Sequence, residues 1–176
     1  MLSLYSKIIN APIVELRTQT QVGIVNDLII HKTKLEVYGI VLKRESLLSF
    51  IQNYEERVIM NTDILELNSG AVIISNADSV VPIGEAIRLK EAIDQKYSGI
   101  YQKVISKKGK SIGLVYDYLV DSTTQRITKF YCRTLFTERI ISDRSIIKIE
   151  GKRIFIKDDD LETQKITTPA IESSLV

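Results

Sequence analysis

The 176 residues suffice for one ordinary domain or two very small ones, and 44% hydrophobic with 26% charged residues is a globular composition. One Cys and one His exclude an internal disulfide and argue against a metal site or a catalytic triad built on these residues. No apolar run approaches the roughly 20 residues that span a bilayer, and the first residues lack the basic start and long apolar core of a signal peptide. We therefore expect a cytoplasmic protein without a membrane span.

The formal net charge of +2 conceals an uneven distribution along the chain. Residues 1–81 carry 7 Lys and Arg against 9 Asp and Glu, and residues 82–96 carry 3 of each sign. Residues 97–157 carry 13 against 5, a net charge of +8, whereas residues 158–176 carry 1 against 5, a net charge of −4. The pattern predicts a basic unit followed by an acidic tail, and we expect this tail to be disordered.

In the first 81 residues, β-branched and alternating apolar residues separated by short polar turns predict strands. These strands cover residues 13–18, 22–30, 36–43, 58–60, 64–67 and 72–74. Strands joined by short turns are typical of an antiparallel sheet that closes on itself. Residues 45–54 break the pattern, because Leu47, Ile51 and Tyr54 recur at helical spacing. We expect this helix to cover an opening or edge of the sheet, with a partner-docking surface as the alternative.

Residues 82–96 predict a second helix, which separates the two halves of the chain. Pro82 suits a first helical turn because its missing N–H would be unpaired there, and Gly99 lies just past the predicted end. The apolar stripe of this helix consists of Ile83, Ala86, Ile87, Leu89 and Ile93. After it, strands are predicted over residues 104–105, 112–120 and 127–133.

The stretch Ser111–Asp121 repeats the stretch Gln21–His31, so the chain contains a duplication. The motif residues match in pairs at an offset of 90: Gly23 with Gly113, Val25 with Val115, and Asp27 with Asp117. The glycine, near the start of a strand, suits a bulge or a close backbone approach. Beyond Arg133 the offset falls to 82, so the first copy has 8 extra residues, which lie in the predicted insertion helix. We call residues 10–80 the first repeat and residues 97–157 the second repeat.

The motif of the second repeat consists of Val104, Gly109-Lys-Ser-Ile-Gly113, Val115, Asp117, Asp121 and Ile127. It resembles the motif of the PRC-barrel family, whose members include the cytoplasmic domain of the photosynthetic reaction-centre H subunit and the C-terminal domain of a small-subunit ribosome-maturation factor. The first repeat is a weaker match, since it lacks Gly in its opening turn and has His31 in place of Asp121.

The resemblance implies a mainly β fold with two small antiparallel PRC-barrel-like β-barrels in tandem. Together with the helices and the tail predicted from the residue pattern, the domains are a first barrel at 1–81 with a helical insertion at 45–54, a connecting helix at 82–96, a second barrel at 97–157 and an acidic tail at 158–176. A barrel of about 60 residues is marginal alone, so we expect the barrels to pack on each other or on the connecting helix. The family is mostly a protein–protein docking module, although a fold does not determine a function.

Five basic residues are the candidate partner-binding residues: Lys103, Lys107, Lys108, Lys110 and Arg133. Three of these lysines form a turn whose first-repeat counterpart is much less basic, with a solvated loop as the alternative. The sequence predicts a non-catalytic protein-binding or scaffold module whose partner is unidentified. The alternative is a ribosome- or RNA-associated assembly factor that uses the basic second repeat, although no RNP-like aromatic pattern or zinc spacing accompanies the charge. We expect no enzymatic activity, metal or cofactor.

The remaining residues with reactive side chains receive structural interpretations. Asp27 and Asp117 occupy the same position in both repeats, which favours acceptance of backbone N–H bonds at a strand bend over acid–base catalysis. Cys132 corresponds to Leu42, so we expect it to pack in the core as a small hydrophobic residue. His31 stands beside a basic turn, and we expect it to be solvated.

Overall fold

The computed structural model describes residues 1–43, 55–95 and 97–157, together with the backbone of residues 162–164. The fold in this part of the chain is mainly β. The strands are β1 (Leu2–Leu4), β2 (Pro12–Glu15), β3 (Gln21–His31), β4 (Glu36–Leu42), β5 (Arg57–Met60), β6 (Ile64–Leu67), β7 (Val72–Ile74), β8 (Val81–Pro82), β9 (Lys103–Ser106), β10 (Ser111–Asp121), β11 (Arg126–Arg133), β12 (Glu138–Ser142), β13 (Ile146–Glu150), β14 (Arg153–Ile156) and β15 (Glu162–Gln164). The short α-helices are α1 (Tyr5–Ile8) and α2 (Lys90–Asp94). The predicted insertion helix at 45–54 lies outside the described residues.

The strands form one curled sheet of mixed pairing in the order β13-β14-β9-β10-β11-β4-β3-β2-β7-β6, with the other strands paired at its branches. The sheet curls because β3 and β10, each 11 residues long, pair with one neighbour through their first residues and with another through the rest. Register shifts along both strands mark bulges, which bend and twist a strand.

The expectation of purely antiparallel pairing is wrong for two strand pairs, because β2–β7 and β9–β14 are parallel. In both places the last strand of a repeat returns beside its first strand. Short 3-10 turns at Asn61–Asp63 and Asp143–Ser145 lead from β5 into β6 and from β12 into β13 without making those strands hairpin partners. An even number of hairpin reversals therefore separates the first strand from the last, and the two run in the same direction.

Both repeats use the same set of strand pairs. The first repeat has β2–β3, β3–β4, β4–β5, β6–β7 and β2–β7, and the second has β9–β10, β10–β11, β11–β12, β13–β14 and β9–β14. After each repeat a further strand pairs with the fourth one, β8 with β5 and β15 with β12, and we call β8 and β15 the closing strands. Glu162–Gln164 therefore differs from the expected disordered tail, because β12 offers it an unpaired backbone edge.

The two repeats meet where β4 pairs with β11 at one position, Glu36 opposite Arg126. Two backbone hydrogen bonds flank this position: Val37 N donates to Gln125 O over 2.8 Å, and Ile127 N donates to Leu35 O over 2.7 Å. Val37 and Ile127 are counterparts at the offset of 90, and so are Leu35 and Gln125. The two hydrogen bonds are therefore equivalent, and the contact has the reciprocal pattern of a two-fold symmetric dimer interface. Leu35 and Gln125 also share a left-handed backbone, with φ angles of 54° and 55°.

Both repeats contribute to one apolar core. The main cluster of buried residues includes Ile30, Val37 and Ile40 from the first repeat and Tyr118 and Phe130 from the second. The N-terminal segment crosses between the repeats, since β1 pairs with β10 and α1 packs on β10. A shared core solves the problem that a unit of about 60 residues buries too small a fraction of its surface alone.

The continuous helix predicted over residues 82–96 is wrong. Among the described residues of this segment, β8 and two 3-10 turns come first, and only α2 is α-helical. The buried side chains Ala86 and Leu89 are three residues apart, which is the period of a 3-10 helix, whereas Ile87 of the predicted stripe is 80% exposed. No helix in the described ranges is long and apolar enough to cross a bilayer.

Candidate partner-binding surface

The glycines of the repeated motif lie at the bends of β3 and β10. A Cβ atom on Gly113 would lie 2.7 Å from the carbonyl oxygen of Arg133, and the φ angle of Gly113 is 152°. A Cβ atom on Gly23 would lie 2.8 Å from Cδ2 of Leu42. The next motif residues, Val25 and Val115, are both fully buried. These four positions serve the packing of the bends.

The aspartates of the motif fasten helix α1 to the same bends. Oδ1 of Asp27 accepts hydrogen bonds from the next backbone N–H at 2.8 Å and from the Tyr5 hydroxyl at 2.9 Å. Oδ1 of Asp117 accepts from the next backbone N–H at 2.9 Å and from Ser6 N at 3.1 Å, and its Oδ2 accepts from Ser6 Oγ at 2.6 Å. Because fixed donors occupy both carboxylates, this geometry supports a structural role.

The structure agrees with the prediction for Cys132 and differs from that for His31. Cys132 is fully buried at the strand position that Leu42 holds in the first repeat, and burial raises the pKa of its thiol to about 12. The expectation that His31 is solvated is wrong, because it is 5% exposed and its Nε2 lies 3.2 Å from Oε1 of Glu91. The segment between the repeats folds over His31, and the local sequence around a turn does not show such a tertiary contact.

Two of the predicted partner-binding residues, Lys103 and Arg133, lie in one row of the sheet. Lys103 of β9 is opposite Leu114 of β10, and Leu114 is opposite Arg133 of β11. Because paired residues point to the same face of a sheet, the row presents a cation, an apolar side chain and a second cation. All three are exposed, Leu114 to 51%. A groove of about 550 Å³ follows the row, and its other lining residues are Ser111, Gly113, Thr134 and Leu135.

One wall of this groove is the turn between β11 and β12. Thr134 N donates to Thr137 O at 2.9 Å, and Thr137 N donates to Thr134 Oγ1 at 3.1 Å, so the turn is closed by its own threonines. Leu135 and Phe136 form its tip with 93% and 85% of their surface exposed, the highest values among the large apolar side chains described. This pair was not among the residues predicted from the sequence, although two large apolar residues inside a short polar turn are a signal of an interaction surface.

The other predicted residues lie on the turn between β9 and β10, and we call this set the lysine turn: Lys107, Lys108 and Lys110. Gly109 supplies the left-handed backbone of the turn, with a φ angle of 82°. All three lysines are exposed, and the turn leads directly into Ser111, which lines the groove. The structure therefore brings Lys103 and Arg133 together in one groove and places the lysine turn beside it.

Aromatic side chains hold Arg133 in this groove. Its guanidinium carbon lies 5.2 Å from the ring centroid of Tyr116, which is a cation–π distance, and the ring of Tyr116 lies 6.3 Å from that of Tyr131. Burial, followed by the nearby Glu138, raises the pKa of Tyr116, so its phenol remains neutral. Tyr116 was not among the candidate residues, because its contact with Arg133 joins two different strands.

Two further features of the described residues bear on chemistry. The hydroxyl groups of Tyr97 and Tyr118 are buried without a hydrogen-bond partner, and burial raises the pKa of both phenols. Phenols of this kind resist deprotonation and are poor proton donors. Within the described ranges, no three His, Cys, Asp or Glu side chains lie close enough together to hold a metal ion.

The candidate partner surface is thus a groove with a basic row, an apolar turn tip and the adjoining lysine turn. Its residues come from three neighbouring strands and two turns of the second repeat. No protein-family model matches the chain, and no curated protein matches its sequence significantly.

Proposed function

We propose that the chain is a tandem PRC-barrel-like protein, with barrels at 1–81 and 97–157, that acts as a non-catalytic protein-binding or scaffold module. The barrel assignment is supported by the repeated Gly-x-Val-x-Asp motif and by the equal sets of strand pairs in the two repeats. The proposed partner surface consists of the lysine turn with Lys103, Leu114, Arg133, Leu135 and Phe136.

The observation that carries the proposal is an exposed apolar turn tip beside a basic row whose cations folding does not require. The counterpart row of the first repeat consists of Pro12, Ile24 and Lys43, with a single cation. The opening turn of the first repeat, residues 16–20, holds one basic residue, Arg17. The counterpart of the apolar tip lies outside the described residues. Since the strand pairs are the same in both repeats, the excess of cations serves a purpose other than folding.

The partner that fits this surface is an acidic protein segment with a large apolar side chain. Exposed ion pairs contribute about 0–1 kcal/mol each and mainly steer association. Burial of Leu135 and Phe136 contributes about 1.5–3 kcal/mol for each side chain. The apolar tip would therefore supply most of the affinity, while Lys103, Arg133 and the lysine turn would select for an acidic partner.

The proposal is tested by capturing proteins from a lysate of the source organism on immobilised full-length protein after ribonuclease treatment. We expect a specific protein to be retained and to be lost when Leu135→Ser is combined with Phe136→Ser. Ile87→Ser, at a site that is 80% exposed in the segment between the repeats, is the matched control and should retain the partner. Capture that is equal for the tip variant and the control contradicts the proposal.

The net charge of +8 on residues 97–157 favours a second candidate function, a ribosome- or RNA-associated assembly factor. If RNA binds through the lysine turn, the logarithm of the affinity should fall linearly with the logarithm of the salt concentration. It would be lost in the variant with Lys107→Glu and Lys110→Glu and would survive removal of the apolar tip. A salt-dependent RNA shift with this variant pattern would replace the protein-binding proposal.

A further inference from the structure

In the first repeat, the segment that follows the closing strand covers the outer face of the sheet. Ile83 N donates to Glu56 O at 2.7 Å, which continues the direction of β8 along β5. The chain then turns back and forms a second apolar cluster with the sheet, whose buried members are Ile29, Val58, Ala86, Leu89 and Ala92. In the first repeat, the closing strand is thus followed by a segment whose apolar side chains pack on the sheet.

The corresponding face of the second repeat is apolar but has no such cover among the described residues. Its outward-facing apolar side chains are Leu114, Tyr116, Tyr131 and Ile140. Tyr131 and Ile140 are the counterparts of Val41 and Val58, which lie in the covered cluster of the first repeat. None of the four second-repeat residues belongs to either apolar cluster of the described residues.

We propose that residues 165–176 of this chain cover that face. The closing strand β15 is antiparallel to β12, with Gln164 opposite Glu138, the first residue of β12. The chain therefore leaves β15 toward the turn between β11 and β12, where the apolar tip and the groove lie. In the first repeat the chain leaves β8 in the same direction relative to β5 before it turns back over the sheet.

The length and composition of this segment fit the face. Twelve residues reach up to about 40 Å when extended, which exceeds the width of three strands spaced about 4.8 Å apart. Its apolar residues are Ile166, Ala170, Ile171, Leu175 and Val176. The segment can therefore reach across β12, β11 and β10 and offer apolar side chains to both Tyr131 and Leu114.

This contact makes the segment an internal competitor for the partner surface. The row of Lys103, Leu114 and Arg133 belongs to the covered face, so a protein partner displaces residues 165–176 before it binds. A tethered segment acts at an effective concentration of about 1 mM, so a contact that is several-fold tighter than this suppresses binding in trans several-fold. This regulatory role rests on the proposed function, whereas the covering contact itself does not.

The covering contact is tested in the full-length chain with a nitroxide attached at Ser173→Cys. Cys132 is fully buried with a raised thiol pKa, so the introduced thiol is labelled selectively. Paramagnetic broadening is then measured on assigned methyl groups of two residues of the face, Leu114 and Ile140, and of Leu135 on the adjoining turn tip. We expect their signals to broaden relative to the chain with reduced nitroxide.

Two exposed leucines of the first repeat provide the control signals: Leu16 and Leu65. These signals should stay sharp, because the segment lies over the second repeat. Sharp signals at Leu114, Leu135 and Ile140, or equal broadening of the controls, overturn the inference.

A release variant separates this inference from the proposed function. Ile166→Ser with Ile171→Ser should abolish the broadening and raise partner capture several-fold, whereas Thr167→Ser with Thr168→Ser should change neither. If release abolishes the broadening without raising a capture that still depends on Leu135, the segment covers the face but does not compete with the partner, and if nothing is captured by any variant, the proposed function is wrong. If broadening is absent while capture still depends on Leu135, the proposed function stands and this inference is wrong.

Discussion

The two repeats have the same strand pairs but carry different surfaces. Residues 1–81 have a net charge of −2, and the segment between the repeats packs over the outer face of the first repeat. Residues 97–157 have a net charge of +8, with a basic row and an exposed apolar tip on the corresponding side. The shared motif residues lie at bends and in the core, so they specify the fold. The surface diverged without disturbing the pairing, and we look for function where the repeats differ.

The junction between the repeats shows the same division. Glu36 and Arg126 are counterparts at the offset of 90, yet they have opposite charges and form an ion pair of 2.8 Å with each other. In a dimer of identical units this symmetric position would place like charges opposite each other. A duplicated single chain can place a different residue in each copy, so the junction exploits the fusion of the repeats.

The largest expected effect comes from adding a methyl group to the motif glycines. Gly113→Ala should destabilise the protein by about 2–4 kcal/mol, because the new Cβ meets the Arg133 carbonyl oxygen at 2.7 Å and the φ angle of 152° disfavours a side chain. Gly23→Ala should cost about 1 kcal/mol, because its Cβ meets the movable end of the Leu42 side chain.

Urea unfolding of both variants measures this difference directly. We expect the urea midpoint of unfolding to fall much further for Gly113→Ala than for Gly23→Ala, with a similar dependence of the unfolding free energy on urea in both variants. Equal losses would mean that the two bends are equivalent in energy as well as in sequence.

The second prediction concerns the core position shared by Cys132 and Leu42. Cys132→Ser should destabilise the protein by about 1–3 kcal/mol, because it places a hydroxyl group in a fully buried site. Thiol labelling of the native protein should be far slower than labelling in denaturant. Native labelling at the denatured rate would show that this position in the second repeat is open, unlike its counterpart.

The strands around the motif could be predicted because their signals are local. Gly23 and Gly113 mark bends, and period-two apolar residues mark β3 and β10 on either side of them. The parallel pairs β2–β7 and β9–β14 could not be predicted, because each joins segments about 50 to 60 residues apart through a returning chain. The prediction of a continuous helix over residues 82–96 was wrong because apolar spacings of three and of 3.6 residues are nearly indistinguishable over so few residues.

The candidate site could be predicted only in part. Lys103, Arg133 and the lysine turn stand out from charge alone, and the structure places the first two in one groove. Leu135 and Tyr116 were not predicted, because the exposure of Leu135 depends on a turn closed by its own threonines and the contact of Tyr116 with Arg133 depends on strand pairing. Both features arise from backbone hydrogen bonding, which composition does not reveal.

The third prediction is that alkaline sensitivity belongs to the second repeat. Burial raises the pKa of the Cys132 thiol from its ordinary value of 9.0 to about 12 and also raises the pKa of Tyr118, whereas their first-repeat counterparts, Leu42 and Leu28, do not ionise. As the pH rises, the unfolded chain loses these protons first, so the contribution of Cys132 is complete below about pH 9 and is lost by about pH 12. The free energy of unfolding should fall by about 1.4 kcal/mol per pH unit for each such group.

Urea unfolding of Cys132→Ala between about pH 8 and 11 tests this assignment. The variant starts less stable because it leaves a small cavity, but its stability should decline less steeply with pH than that of the wild type. Parallel declines would mean that the thiol does not contribute to the alkaline transition.

The smallest expected effect is at the junction between the repeats. The Glu36–Arg126 pair is partly exposed, with 28% and 45% of the two side chains accessible, so it contributes about 0.5 kcal/mol. Arg126→Glu should cost slightly more than this, because it places two carboxylates opposite each other on paired strands. The double exchange Glu36→Arg with Arg126→Glu should restore the pair and most of the stability, since the local two-fold symmetry makes the two positions interchangeable. Thermal unfolding of the single and double variants at low salt measures the coupling energy between the two residues. If the double variant does not recover stability, the junction is symmetric in its backbone only.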